Sequence, residues 1–295
     1  MEKTLKPLID RDELVMAIGA WDALTARMAQ QAGAEAVYLS GSCVSSSVHG
    51  GPDVGLTTMT EMARRARQMR AVLDVPLIAD ADTGYGNELN VRRTVQTYEQ
   101  AGVNAIQLED QTFPKRCGHF EGKSVVEAPE FATKISAAVD ARRSTEFLII
   151  ARTDAIAVNG LDDALDRAWL YDEAGADILF IEAPGDLDAL ERIGRDGPRP
   201  LLVNLPAKGK TPPVPATELE QLGFDIAIYP SDAFKAALST IQSTYETLIT
   251  ERSQSNILDG MVSWEERDVI TDLESIDQLE SRYAREREAF EEAWR

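Results

Sequence analysis

Four stretches of the chain repeat one pattern: a helix-like segment closes on Gly, and an apolar run follows that ends at a polar group or a turn. They are Gly33–Ser40, Gly102–Glu109, Gly175–Glu182 and Gly223–Pro230, each seven residues from its Gly to its named end. Gly just past a helix suits the left-handed cap, and runs apolar on both faces read as strands covered on both sides. Four further runs fit the same role: Val15–Ala20, Pro76–Asp82, Phe147–Asp154 and Pro200–Leu205. Between them lie stretches of helical periodicity, among them Thr60–Leu73, Asn90–Gln100, Pro129–Ala141 and Leu161–Glu173. Eight strand–helix units in this order predict an α/β fold, a TIM (β/α)8 barrel, with an open doubly wound sheet as the alternative. No Gly-rich phosphate fingerprint follows the first strand, which counts against the nucleotide-binding alternative.

Beyond Pro230 the periodicity is helical, over Ser231–Thr250 and Asp277–Trp294, with Glu and Arg paired at three and four residues' spacing. We therefore expect a catalytic barrel over residues 1–250 and a C-terminal helical extension over 251–295, serving as a solvated cap or an intersubunit arm.

Charge narrows the partners. The 295 residues carry 30 Lys and Arg against 50 Asp and Glu, a net charge of −20. Such a field repels phosphate, so neither nucleic acid nor an anionic membrane is expected as a partner. The cations are skewed, with eight Lys against 22 Arg, and scarce Lys with an acidic surface is the composition of a salt-adapted protein. The opening residues, Met1 to Asp10, have no apolar core, and no apolar run reaches the roughly 20 residues that span a bilayer. Two cysteines, Cys43 and Cys117, are too few for a disulfide framework, so a cytoplasmic protein is expected.

In a TIM barrel the chemistry sits at the C-terminal ends of the strands. Those ends read Trp21 and Asp22, Ser40, Asp80 and Asp82, Glu109 and Asp110, Arg152 and Asp154, Glu182, and Asn204. Helix capping explains Asp110 and Asp154 as well as a site role does. Asp80 and Asp82 are different, because one residue apart on a strand they point the same way. Carboxylates converging without a His cluster suit a hard divalent cation such as Mg²⁺, which keeps waters and binds through one or two carboxylates plus substrate. A solvated acidic rim is the alternative. Zinc is disfavoured, since only His49 and His119 exist and the cysteines form no paired motif. The loop Phe113–His119 places Cys117 among Lys115, Arg116 and His119, cations that favour a thiolate, and a reactive thiol and a chance loop Cys remain equal alternatives. Gly118 and Gly122 suggest a lid over the barrel mouth.

Together these residues resemble the isocitrate lyase and phosphoenolpyruvate mutase superfamily, and within it the methylisocitrate lyase branch. The matching motifs are Tyr38-Leu-Ser-Gly41, Pro52-Asp-Val-Gly55, Asp80-Ala-Asp82, Glu109-Asp-Gln111, Lys115-Arg-Cys-Gly-His119, Arg152-Thr-Asp154 and Phe180-Ile-Glu182, in family order along nearly the whole chain. The resemblance implies a barrel whose last helix is exchanged between subunits, in a homo-oligomer that is usually a tetramer. It implies Mg²⁺ (or Mn²⁺) with Asp82 as direct ligand, and Asp53, Asp80 and Glu109 acting directly or through metal-bound water. The implied reaction is retro-aldol cleavage of a 2-hydroxy acid. Tyr38 would be the base, Cys117 the proton donor, and His119 and Lys115 would tune the thiol. Arg152 and the backbone of Ser40 and Gly41 would hold carboxylates, with Gly118, Glu182, Asn204, Phe180 and Thr211 completing the substrate site.

For the substrate, the resemblance points in two directions. Phe180 stands where isocitrate lyases typically carry Trp, Ile228 where they tend to carry an aromatic, and their large insertion is missing. These favour 2-methylisocitrate, cleaved to pyruvate and succinate in propionate metabolism. After Asn204, however, Leu205, Pro206 and Ala207 replace the usual polar carboxylate-binding groups, and Gly209-Lys-Thr-Pro212 looks more like dimethylmalate lyases and oxaloacetate hydrolases. A 2,3-dimethylmalate-type lyase, an isocitrate lyase and an oxaloacetate hydrolase are therefore the alternatives. From other classes come a phosphonopyruvate-type mutase, which lacks the Cys-Gly-His loop, and a keto-acid binding protein.

Overall fold

The computed structural model describes residues 4–118 and 120–295. Eight parallel strands close into a barrel in chain order: β1 Val15–Ala20, β2 Ala36–Leu39, β3 Leu77–Asp80, β4 Ala105–Glu109, β5 Leu148–Thr153, β6 Ile178–Ile181, β7 Leu201–Asn204 and β8 Ile226–Tyr229. All eight expected strands are present, so the fold is the TIM barrel and the open-sheet alternative falls. Closure is made by β1 against β8, with Val15 opposite Ile226 and Ile18 opposite Tyr229. Gly19 is required there: a Cβ on it would lie 2.3 Å from the Pro230 carbonyl oxygen.

Two cores follow from the two faces of the sheet. Outward residues such as Leu39, Ala79, Ile106, Leu108 and Leu179 pack under the helices. Inward residues, including Ala17, Tyr38, Ile78, Ala105, Ile150, Phe180, Leu202 and Ile228, fill the barrel, with Leu5 among them. Successive inward positions are two residues apart, because strand side chains alternate. Following each inward series toward the C-terminal end, Ile78 gives way to Asp80, Ala105 to Gln107 and Glu109, Ile150 to Arg152, and Leu202 to Asn204. An apolar plug thus passes within one or two residues into a polar mouth.

The helices between the strands match the periodicity closely. Leu161–Glu173 is helical as expected, and Asn90–Gln100 begins two residues earlier, at Glu88, where Asn87 caps it. Asp22 belongs to a capping box with Thr25 at the helix Ala23–Gln31. Contacts divide the chain into two compact units that meet between Ala237 and Leu238, within the helix Asp232–Glu251. The second unit continues through helices Trp264–Thr271 and Leu273–Trp294. Its residues are all partly or fully exposed. Among the described residues no helix is long and apolar enough to cross a membrane.

Candidate active site

The barrel mouth gathers Asp53, Asp80, Asp82, Glu109, Lys115, Arg152, Glu182 and Asn204, each less than one tenth exposed. Asp80 ends β3, but Asp82 does not continue the strand. Its φ of 46° is left-handed, and its N–H donates to Asp80 Oδ1 at 3.0 Å. The expectation that both point the same way along one strand is corrected. The turn, and not strand alternation, brings the second carboxylate back over the first. Asp53 arrives from the loop after the helix Gly41–His49, whose Ser40 cap accepts from the Cys43 N–H. Gly41 lies against Asp80: a Cβ would come within 2.5 Å of Oδ2, so only Gly lets this helix start so close to the carboxylate.

Lys115 is placed differently from the sequence reading, which set it beside Cys117 to tune the thiol. Its ammonium lies 2.8 Å from Asp53 Oδ2 and 2.8 Å from Asp82 Oδ1. Burial works against that charge, but Asp82, Glu109, Asp80 and Asp53 outweigh it and hold Lys115 protonated well above its usual range. Burial likewise raises the Asp82 carboxyl to about 7, with Lys115 opposing and Asp80 and Asp53 adding to the rise. Glu109 is raised well above the carboxylate range, first by burial, and Arg152 and Lys115 pull the other way. Burial and the crowding of four carboxyl groups around one ammonium thus favour protonation of Asp82 and Glu109 until another cation joins them.

That donor set fits a hard divalent cation. It is made of oxygens, and Glu109 Oε1 is buried without a hydrogen-bond partner among the described residues. Among the described residues no three His, Cys, Asp or Glu side chains form a closed metal cage. A cation here would need further oxygens from water or substrate.

Arg152 stands across the mouth on β5. Asp154 receives its Nε at 2.9 Å and its Nη2 at 3.0 Å, Glu109 Oε2 lies 3.4 Å from Nε, and Glu182 Oε1 lies 3.8 Å from Nη2. Its guanidinium also sits 5.1 Å from the centroid of Phe180 in the barrel interior. Burial would raise the Asp154 carboxyl, but Arg152 and Lys123 together hold it at about 2. Glu182 accepts from Asn204 Nδ2 at 3.2 Å. Asp110 is drawn behind the mouth, accepting from Thr153, Tyr171, Arg167 and the Asp154 amide. Neither Asp110 nor Asp154 is the cap of a helix, the role that had been an equal alternative.

Tyr38 donates to Gln107 Oε1 at 3.1 Å inside the barrel. Burial, with Asp80 next, pushes the phenol well above its ordinary range. A phenol so placed stays protonated, which counts against its expected role as base.

The lid loop runs across this mouth. The Cys117 N–H donates to the Asp53 carbonyl at 3.2 Å, and the thiol is partly exposed. Gly118 presses on the opposite pair, since a Cβ would lie 2.2 Å from Arg152 Nη2 and 2.5 Å from Glu182 Oε1. Gln111 holds the Arg116 backbone from both its amide atoms, at 2.8 and 3.0 Å. His119 lies outside the described residues. Thr211 comes from the loop after β7, buried, with no hydrogen-bond partner for Oγ1 among the described residues. It lines a cavity of about 570 Å³ with apolar Leu205, Pro206, Ala207 and Val214 and with the charged Lys208 and Asp232.

Two residues escaped the sequence reading. Gln107 is fully buried, with Nε2 unpartnered among the described residues, and it sits on the inward series two residues before Glu109, a position that strand alternation could have revealed. Lys123 bonds Asp154 Oδ1 at 2.8 Å, and nothing in the sequence near it signals that partner.

Comparison with known proteins agrees with this arrangement. A family model described as phosphoenolpyruvate phosphomutase matches residues 5–249. The chain is 44% identical over 280 residues to a 2,3-dimethylmalate lyase of Eubacterium barkeri, covering 95% of this chain and 97% of that one. It is 41% identical to a 2-methylisocitrate lyase of Aeropyrum pernix, over 87% of this chain and 82% of that one. To a chloroplastic carboxyvinyl-carboxyphosphonate phosphorylmutase of Arabidopsis thaliana it is 42% identical, over 96% and 84%. Among solved structures, a phosphonopyruvate hydrolase in complex with oxalate and Mg²⁺ superposes with a TM-score of 0.85 at 31% identity, covering 95% of this chain and 98% of that one. The carboxylate cluster, the Cys-Gly loop seated on Arg152 and these matches along the barrel lead to one conclusion: the chain belongs to the phosphoenolpyruvate mutase/isocitrate lyase superfamily.

Proposed function

We propose that the protein is a divalent-metal-dependent lyase that splits the C2–C3 bond of a 2-hydroxy dicarboxylate of the alkylmalate type, such as 2,3-dimethylmalate. The observation that carries the reaction class is the seating of Cys117–Gly118 against the Arg152–Glu182 pair, across the mouth from the acid cluster. In this reading the partly exposed thiol protonates the carboxylate-bearing carbon that cleavage leaves behind.

In this reading Asp82, with Asp53, Asp80 and Glu109 directly or through water, holds one Mg²⁺ (or Mn²⁺). When bound, that cation polarises the substrate hydroxyl and the 2-oxo acid that replaces it. Arg152 pairs a substrate carboxylate with its two-pronged guanidinium, and the amides opening the helix Gly41–His49, after Ser40, bind a second. Tyr38 accepts a hydrogen bond from the substrate hydroxyl while it keeps its own proton, donated to Gln107 Oε1. A carboxylate of the mouth cluster takes the hydroxyl proton, the electron pair left on that oxygen becomes the C2 carbonyl, and the C2–C3 bond breaks. Its electron pair is left on C3 as the enolate of the departing carboxylate, and Cys117 Sγ delivers a proton there. Lys115 pairs with Asp53 and Asp82 and offsets part of their charge before the cation arrives. The loop over the mouth excludes water.

The substrate choice rests on the cavity beside Thr211. Leu205, Pro206, Ala207 and Val214 offer apolar contact to an alkyl group, and the charged residues of that lining, Lys208 and Asp232, are of opposite sign and add no net positive charge for a third carboxylate. A second reading, 2-methylisocitrate cleaved to pyruvate and succinate in propionate metabolism, is favoured by Phe180 and Ile228, whose size leaves room for the extra methyl. The same family reading makes the protein a homo-oligomer, a tetramer with its last helix exchanged, while the two cysteines fit a cytoplasmic setting and the scarce Lys among many acids a salt-adapted one.

The test is 2-oxo acid release in the presence of Mg²⁺ from 2,3-dimethylmalate, 2-methylisocitrate, threo-isocitrate and oxaloacetate, in low and in molar salt. Dimethylmalate turning over fastest supports the reading. Preference for 2-methylisocitrate moves the assignment to the second. Silence with all four, together with conversion of phosphonopyruvate, would replace the lyase with a mutase.

A further inference from the structure

We propose that Lys123 is a positioning residue that locks the Cys117–Gly118 segment onto Arg152, so that the proton donor and the carboxylate-binding guanidinium are held in one geometry. Three observations meet at this side chain. Its ammonium, only 1% exposed, donates to the Gly118 carbonyl oxygen and to Asp154 Oδ1. Asp154 is at the same time the two-pronged partner of Arg152. Gly118 in turn lies directly on the Arg152 and Glu182 side chains, where a single added carbon would not fit. Lid backbone, lysine, carboxylate and guanidinium therefore form a closed ring of contacts, in which Lys123 hydrogen-bonds both the Gly118 carbonyl of the lid and Asp154 at the end of the barrel strand.

The consequences run in two directions. The lid cannot lift from the mouth without breaking a buried, charge-assisted bond at Lys123, a loss that water repays only after the ammonium leaves its pocket. Arg152, for its part, would have Glu109 and Glu182 as competing partners if Asp154 were not fixed from behind. Lys123 touches no reacting atom. It acts through Gly118 on Cys117 and through Asp154 on Arg152.

This inference builds on the lyase reading for its kinetic arm, and its alkylation arm is independent of activity. Lys123→Met keeps the stem and removes the charge, and Lys123→Gln is a milder variant that keeps a donor. The first arm is the rate at which iodoacetamide alkylates Cys117 without substrate, followed by mass spectrometry so that the buried Cys43 is counted separately. Loss of the lock raises the Cys117 rate about tenfold or more. The second arm is turnover of the best substrate with Mg²⁺, where kcat falls about a hundredfold while KM changes much less, the sign of a misplaced proton donor. Alkylation at the wild-type rate in folded Lys123→Met, or in Lys123→Gln if the Met variant does not fold, overturns the proposal, whatever kcat does. Amide exchange on the wild-type chain needs no variant: slow exchange over residues 115–118 is expected, and exchange as fast as an open loop overturns the lock. An inactive wild-type enzyme would fail the lyase reading alone, since the alkylation and exchange arms still report on Lys123.

Discussion

Asp154 shows how much one carboxylate can carry. Its depressed pKa, about 2 against an ordinary 3.8, means that its charge stabilises the folded state. The folded pKa lies below the unfolded one, so the contribution is complete above about pH 4 and is lost as pH falls toward about 2. At roughly 1.4 kcal/mol per unit this amounts to about 2 kcal/mol. Asp154→Asn is expected to lower the urea midpoint at neutral pH, with the gap to wild type shrinking below about pH 4. A gap that is constant with pH would contradict it. Cys117→Ser is expected to reduce kcat by about a hundredfold or more, because a hydroxyl is a far poorer acid, while calorimetry finds Mg²⁺ binding unchanged. The charged residues of the mouth were legible in sequence because strand alternation places Asp80, Glu109 and Arg152 in line with buried apolar residues. The partners were not. Lys115 meets Asp53 across 62 positions and Lys123 meets Asp154 across 31, and no local pattern encodes such pairings.

At the scale of elements, the repeated Gly-plus-seven pattern identified β2, β4, β6 and β8, and helix periodicity located Leu161–Glu173 to the residue. What periodicity could not show was the turn at Asp82, since a left-handed residue after a strand leaves no mark when the side chain is not Gly. It also missed the helix Trp264–Thr271 and the early start of Leu273–Trp294, whose polar surfaces dilute the apolar spacing. Barrel closure yields a prediction at this scale. Gly19→Ala places a methyl against the Pro230 backbone, which cannot swing aside as a side chain can. The β1–β8 seam must then spread, at a cost of about 1–3 kcal/mol. Chemical denaturation of the variant measures it. A loss below a few tenths of a kcal/mol would show that the seam gives way freely.

For the whole molecule the net charge of −20 divides in two. Asp53, Asp80, Asp82, Glu109 and Glu182 are buried at the mouth, and much of the rest faces solvent. Self-repulsion among those outer charges falls as the screening length shortens, from about 10 Å at 0.1 M salt to about 3 Å at 1 M. The thermal midpoint is expected to rise over that range with KCl, and a flat or falling midpoint would remove salt adaptation as the reason for the composition. The order of the strands has a further consequence, in time. Neighbours in the barrel are neighbours in the chain at every seam except one, so a chain leaving the ribosome can assemble β1 to β7 stepwise as each strand emerges. The seam that completes the ring joins Val15 to Ile226, separated by most of the catalytic unit. Until those late residues are made, the first strand waits with one edge bare, open to pairing with a stranger. The nascent protein is therefore most exposed to misassembly just before its last strand appears.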